Sequence, residues 1–390
     1  MSRDISVSDV PRHHSSLSER NRAQIAGAGN VRTGLAVENN VRLSVLDLVP
    51  VRSDQTTSDA LAATVRLAQT ADGLGYTRYW LAEHHNMPAV AATSPPVLIG
   101  YLAGQTSHIR LGSGGVMLPN HAPLAVAEQF ALLEAAAPGR IDLGLGRAPG
   151  TDPVTSIALR GPAGRTDADI ENFPQYLDDV AALMSTDGVT VALQGRNLMD
   201  QNYILKATPA AASEPRLWLL GSSMYSAHLA AAKGLPYVFA HHFSGEGTEQ
   251  ALAVYRSEFR PSDLAAEPTT FMTVNASVAP TREEAEALML PNLHMMAWLR
   301  TGQPLRALDL VEDAQGRQLN RQQQAIVEAG LSRAIVGAPA EAADQVRGIA
   351  EHFGVDEVMV NPVASAYRGV DPAAAPARER TLELLAKELF

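Results

Sequence analysis

Cysteine is absent from all 390 residues. Disulfides, thiolate metal sites, iron–sulfur clusters and cysteine nucleophiles are therefore excluded. Long apolar runs are absent too, and none approaches the roughly 18–20 residues of a membrane span. The N-terminus is polar and lacks a signal-peptide apolar region, so a cytoplasmic location is expected. Dense basic runs are missing, and 42 acidic residues against 31 Lys and Arg leave a net charge of −11. That balance argues against nucleic acid or an anionic membrane as the main partner. Charged residues make up only 19% of the chain and hydrophobic ones 46%, so a large buried core is available.

Residues 1–40 are rich in Ser, Arg and Asn and poor in large apolar residues, and they read as a mobile extension. A single domain is expected over 41–390. It opens on "VRLSVLDLVPV", the continuous apolar run of a strand buried on both faces. A helix follows in "TTSDALAATVRLAQTADGLGY", with Thr57 or Ser58 as its cap and Leu61, Val65 and Ala68 on its inner face. The unit then repeats: "RYWLAEHH", "IRLGSGGVMLP", "RIDLGLGR", "RLWLLGSS", "PYVFAHHF", "TFMTVNASVAP" and "DEVMVNPVA" are strands, nearly all separated by helices. Eight such units imply an α/β fold of the closed (β/α)8 TIM-barrel type. The segments near 150–215 and 282–335 are too long for plain connections and read as insertions. The stretch "LMLPNLHMMAWLR" in the second is rich in Met and Leu. It fits a lid over an apolar pocket and ordinary helix core equally well.

In such barrels the chemistry sits at the C-terminal ends of the strands. That rule selects Asp47, Glu83-His84-His85, Ser113-Gly114-Gly115, Asn120-His121, Arg147, Gly221-Ser222-Ser223, His241-His242 and Asn361. The rim has one fixed cation, many glycines, several hydroxyls and few carboxylates, with no opposed acid pair for glycoside hydrolysis. Metal is not expected. Adjacent histidines on a strand point to opposite faces, and Asp47 is the only obvious carboxylate ligand.

"IDLGLGRAPG" carries three glycines close together, but not at the dinucleotide spacing, and Pro149 stands where a phosphate-binding helix would be under way. Arg147 gains its meaning from "GSSMYSAHLAAAKG". Ser222, Ser223 and Ser226 surround a helix start on the neighbouring strand, and a guanidinium beside them suits a phosphate. The plainer reading is that the serines cap the helix and Arg147 pairs with a surface carboxylate. The two glycines of "GSGG" permit unusual torsions or close approach of a flat ligand, or form a simple bulge.

Taken together, "WLAEHHNMP", "IRLGSGGVMLPNHAPLAVAEQFALLE", "GRIDLGLGRAPGTDP" and "LLGSSMYSAHLAAAKGLP" resemble the bacterial luciferase-like flavin monooxygenases, most nearly a single-chain subgroup. The resemblance covers about residues 42–370. It implies a barrel that uses reduced FMN, supplied by a separate flavin reductase, and O2 to oxygenate a small organic substrate. It implies that the histidine at 84 assists the flavin's oxygen chemistry. Arg147 with Ser222, Ser223 and Ser226 would hold the phosphate, and Gly114–Gly115 would form a non-proline cis peptide under the flavin ring. The cofactor-binding candidates are thus Asp47, Ser113, Gly114, Gly115, Arg147, Ala148, Pro149, Ser222, Ser223 and Ser226, and the catalytic candidate is His84. The resemblance further implies a homodimer through the helices near 95–107 and 123–136. The latter is apolar on more than one side, with Leu124, Val126, Phe130, Leu132 and Leu133. Light emission is not implied. The runner-up readings are an FMN- or F420-dependent dehydrogenase on the same barrel and a non-catalytic flavin-binding protein.

Overall fold

The computed structural model describes residues 41–148, 152–161, 167–195, 198–208, 212–243 and 245–390; the expected extension at 1–40 lies outside them. The strands are β1 (Arg42–Asp47), β2 (Arg78–Leu81), β3 (Arg110–Ser113), β4 (Val116–Met117), β5 (Ile141–Gly146), β6 (Val189–Gly195), β7 (Leu198–Leu205), β8 (Arg216–Gly221), β9 (Tyr237–Phe239), β10 (Met272–Val278), β11 (Ile335–Gly337) and β12 (Glu357–Pro362). Eight of them run parallel in the order β10-β12-β1-β2-β3-β5-β8-β9. Between β9 and β10 the ring is bridged by Tyr237 N donating to Thr269 O (3.0 Å) and Thr273 Oγ1 donating to Phe239 O (3.1 Å). The far end of β10 pairs instead with β11. The fold is a (β/α)8 TIM barrel with insertions, as the strand–helix alternation implies.

Side chains of alternate residues fill the lumen in layers. Lowest is an ionic plug: Arg78 bonds Glu357 (2.7 and 3.0 Å) and Asp142 (2.8 Å), and Ser44 donates to Glu357 (2.7 Å). Above it Trp80, Trp218 and Phe271 meet edge to face at 5.1–5.6 Å, and Trp80 Nε1 donates to Asp142 (3.0 Å). Each such aromatic pair contributes about 0.5–1.5 kcal/mol beyond burial. Glycine makes this layer possible. A Cβ on Gly112 would sit 2.6 Å from Trp80 Nε1, and one on Gly144 would sit 2.2 Å from Ser113 O. Gly144 of "IDLGLGRAPG" therefore serves the barrel wall, not a ligand.

The helix after β1 spans Thr57–Gly73. Its cap falls at Thr56, ahead of the expected Thr57 or Ser58, because Thr56 and Asp59 form a reciprocal capping box. Its buried stripe is Ala60, Ala63, Thr64, Leu67, Ala68 and Ala71, with Leu61 and Val65 only half-buried. Small residues face inward here, letting the helix approach the sheet closely enough for Thr64 to bond Asp47 (2.8 Å).

The first insertion holds the helices Pro153–Arg160, Asp167–Glu171 and Phe173–Met184 and the antiparallel β6–β7 hairpin. The second opens with a helix, Arg282–Arg300, that runs straight through Pro291. In the turn before that proline, Leu288 O accepts from Ser365 N (2.8 Å), tying the helix to the segment after β12. Among the described residues no helix is long and apolar enough to cross a membrane.

Candidate active site at the barrel mouth

The strand ends form a half-exposed mouth above the aromatic layer. At the end of β2 the three polar residues divide by direction. Glu83 is buried and binds the outer wall: Oε1 accepts from His85 Nε2 (2.7 Å) and His121 Nε2 (2.8 Å), and Oε2 accepts from Met117 N (2.8 Å). Burial alone would raise its pKa. The bonds and charge from His121, with Met117 N–H and His85, outweigh that and hold the carboxylate below its ordinary value. This clamp fixes the two segments that flank the mouth on this side.

His84 between them is half-buried, and its Nδ1 is buried with no partner. Its backbone N–H donates to Ala92 O (2.9 Å), which sets the ring's position. Burial lowers its pKa, with Glu83 pulling the other way, so the imidazole is mainly neutral near pH 7. An orphaned buried ring nitrogen at a barrel mouth is a group ready to exchange a proton with a bound ligand.

Beside it the Gly114–Gly115 peptide is cis, as the resemblance implies, and both glycines are half-exposed at the mouth. A Cβ on Gly114 would sit 2.8 Å from Leu46, and one on Gly115 would sit 2.7 Å from Gly144 O. Ser113 is fully buried, and its hydroxyl is occupied by Gly144, donating to the carbonyl and accepting from the N–H at 2.9 Å. Asp47 is also fully buried, and its side chain does not reach the mouth. Its carboxylate accepts from Thr64, Tyr79, Val49 N (2.7 Å) and Arg378 (2.6 Å). Burial is outweighed by the Arg378 charge and these bonds, so its pKa lies below the ordinary value. Those four donors use the carboxylate's lone pairs, leaving it no acceptor for a ligand.

Across the mouth, β5 and β8 bring Arg147 to the helix Met224–Lys233. The guanidinium lies 4.0 Å over the Tyr225 ring in the first turn of that helix. Among the described residues no carboxylate pairs with it. Ser223 occupies the N-cap but makes no side-chain capping bond, and Ser222 and Ser223 are exposed. The plainer reading, capping serines and a surface ion pair, is thus not what forms. Ser226 differs from its neighbours. It is buried, donates to Ser223 O (2.6 Å) and meets Tyr237 OH at 3.0 Å, so it braces the turn rather than facing outward. Ala148 is exposed beside Arg147, while Pro149 lies outside the described residues. A free guanidinium, two free hydroxyls and open helix N–H groups suit a phosphate dianion.

His242 and His241 end β9 on the third side. His242 Nδ1 meets Thr273 Oγ1 at 3.0 Å, and its pKa is pushed down to about 4 by burial and by the nearby His84 and His241. His241 Nδ1 meets Thr248 Oγ1 at 2.9 Å. Asn275 and Asn361 cross the mouth, Asn361 Nδ2 donating to Asn275 Oδ1 (2.9 Å). The Met-rich helix packs into the core and also borders clefts near the strand ends. Asn292, Met295 and Met296 line clefts over the strand ends, while Met289 and Leu293 are packed in the core. Tyr225 and Asn275 were not singled out for the site from sequence, whereas Glu83 was placed at a strand end without its role as a clamp. Their partners come from distant segments, and only the capping position of Tyr225 beside the serines gave any local signal.

The sequence model for "luciferase-like monooxygenase" matches residues 41–357. A "luciferase-like monooxygenase" of Escherichia coli strain K12 is 40% identical over 330 residues, covering 83% of this chain and 92% of that protein. The solved structure of MsnO8 superposes with a TM-score of 0.73 at 30% identity, covering 89% of this chain and 98% of that one. The oxygenating constituent of 3,6-diketocamphane monooxygenase from Pseudomonas putida, solved in complex with FMN, shares the fold with a TM-score of 0.65 at 19% identity. It covers 90% of this chain and 97% of that one.

Proposed function

The chain belongs to the luciferase-like monooxygenase family, and from that we propose that it uses reduced FMN and O2 to oxygenate a small organic substrate. The observation that carries the reading is the convergence at one mouth of His84, whose Nδ1 has no partner, and Arg147, which pairs with no carboxylate among the described residues and stands at a helix N-terminus. Bound reduced FMN would supply the electrons that activate oxygen. Arg147, Ser222, Ser223 and the N–H groups of the Met224–Lys233 helix hold its phosphate, with Ala148 alongside. Ser226 shapes that turn from beneath. Gly114 and Gly115 allow close approach of the flat ring, and Ser113 and Asp47 hold the strand ends from behind. The aromatic layer of Trp80 and Trp218 makes a dry floor. His84, neutral near pH 7, accepts or returns a proton at its free nitrogen.

The protein carries no bound electron donor in this scheme, so a separate reductase supplies the reduced flavin. A homodimer is proposed through the helices Pro95–Ala103 and Pro123–Ala136, which expose Val97 (68%), Tyr101 (50%) and Leu132 (56%). Much of the second apolar side of the latter helix is already met within the chain, where Leu124, Ala127 and Ala131 pack against Leu183. The test of function is titration of the purified protein with reduced FMN, oxidised FMN and F420 in turn. Tight binding of reduced FMN supports the reading; binding of F420 alone, with anaerobic hydride transfer, overturns it in favour of the dehydrogenase.

A further inference from the structure

Beyond the mouth, on the side away from Arg147, a narrow cleft opens between the ends of β9 and β10 and the helices Arg282–Arg300 and Arg321–Ser332. Its inner end is His242 and Asn275, tied together by Asn275 Nδ2 donating to His242 O (3.0 Å). Its outer end holds Arg300 and Arg333, and its walls between are Met296 and Ile326.

Among the described residues neither arginine has a carboxylate within ion-pair distance. Arg300 donates to Phe243 O and lies 5.5 Å over the Phe243 ring, so its head is fixed. Arg333 is half-buried, and its stem packs on Gly245, where a Cβ would come within 2.8 Å of Cδ. Gly245 has φ +72°, so a larger residue there is disfavoured on both counts. Burial lowers the Arg333 pKa and the charge of Arg300 lowers it further, with Glu246 pulling the other way. Exposed Arg300 and half-buried Arg333 thus line one cleft as like charges, within a chain that has eleven more acidic than basic residues. An anion between them would offset the repulsion, and a planar carboxylate matches the guanidinium fork.

We infer that the cleft takes the carboxylate of an anionic small molecule, gripped by Arg300 and Arg333, with the apolar remainder of that molecule lying past Met296 toward His242, Asn275 and the barrel mouth. That this molecule is the substrate rests on the oxygenation proposed above; that the cleft binds carboxylates does not.

The experiment is calorimetric titration of the full chain, with and without FMN, using hexanoate, methyl hexanoate and hexanol as probes. Hexanoate is expected to bind, with the ester and the alcohol at least tenfold weaker. Arg333→Gln should weaken hexanoate roughly 10- to 150-fold, and Arg300→Gln should also weaken it, while FMN affinity is unchanged in both folded variants. Equal binding of hexanol, or hexanoate affinity indifferent to both substitutions, overturns the inference. So does loss of FMN affinity in Arg333→Gln, which would assign the arginines to the cofactor phosphate. If hexanoate binds as expected but FMN does not bind at all, the carboxylate site stands and the flavin reading falls.

Discussion

Replacing Arg147 by alanine removes a guanidinium that has no carboxylate partner among the described residues and rests only on the Tyr225 ring, 4.0 Å away. Loss of that exposed cation–π contact costs the fold only about 0.5–1 kcal/mol. The loss to a phosphate ligand is larger, because charge-assisted hydrogen bonds are worth about 1.5–3 kcal/mol. At about 1.4 kcal/mol per tenfold, FMN affinity should fall roughly 10- to 150-fold. Arg147→Lys keeps the charge without the fork and should lie between. The assay is quenching of flavin fluorescence on titration with protein, run in parallel with riboflavin, which has no phosphate. Riboflavin affinity should be the same in the wild type and in Arg147→Ala. A folded Arg147→Ala that binds FMN as tightly as the wild type refutes the assignment. An equal loss of riboflavin affinity would place Arg147 against the ring instead.

Three other outcomes are expected. Gly144→Ala forces a Cβ against Ser113 O and Leu220; it should cost about 3 kcal/mol or more in chemical denaturation, whereas Gly146→Ala, whose nearest neighbour is at 3.9 Å, should cost little, and equal effects would contradict the packing described. His242 has its folded pKa depressed to about 4 from 6.5, so its contribution is complete above pH 6.5 and is lost as the pH falls toward 4. The loss is about 3 kcal/mol, and His242→Gln should flatten the stability profile in that window; an unchanged slope would show that the ring is not desolvated. Leu132→Glu should convert a homodimer to monomer in light scattering, and a wild type that is already monomeric at micromolar concentration removes the proposed interface.

The barrel is legible in the sequence because strands buried on both faces need continuous apolar runs, and "IDLGLG" or "EVMVNP" cannot be placed otherwise. The strand-end rule then locates His84, Arg147 and the serines without any motif. What direction those side chains take is less legible. Ser222 and Ser226 look alike in sequence, yet one is exposed and the other is buried against Tyr237, eleven residues on. Asp47 sits at a strand end like His84, but strand alternation turns it toward Thr64 and Arg378. The Glu83 clamp requires His121 and Met117, more than thirty residues away, and no local pattern announces it. The helix Arg282–Arg300 continues through Pro291, and its contact to the segment after β12, Ser365 N donating to Leu288 O, comes from a residue far away in sequence.

The central claim is that this mouth holds reduced flavin and governs its reaction with oxygen through His84. It is tested most directly by mixing the anaerobic complex of protein and reduced FMN with air-saturated buffer in a stopped-flow instrument, following the return of oxidised-flavin absorbance and the release of hydrogen peroxide. The wild type should delay both relative to free reduced FMN. His84→Ala should bind the flavin nearly normally yet release hydrogen peroxide promptly, a general acid–base role being worth about 10²–10⁴-fold in rate. A wild type in which bound flavin reoxidises just as free FMN does, with His84→Ala indistinguishable from it, would contradict the account.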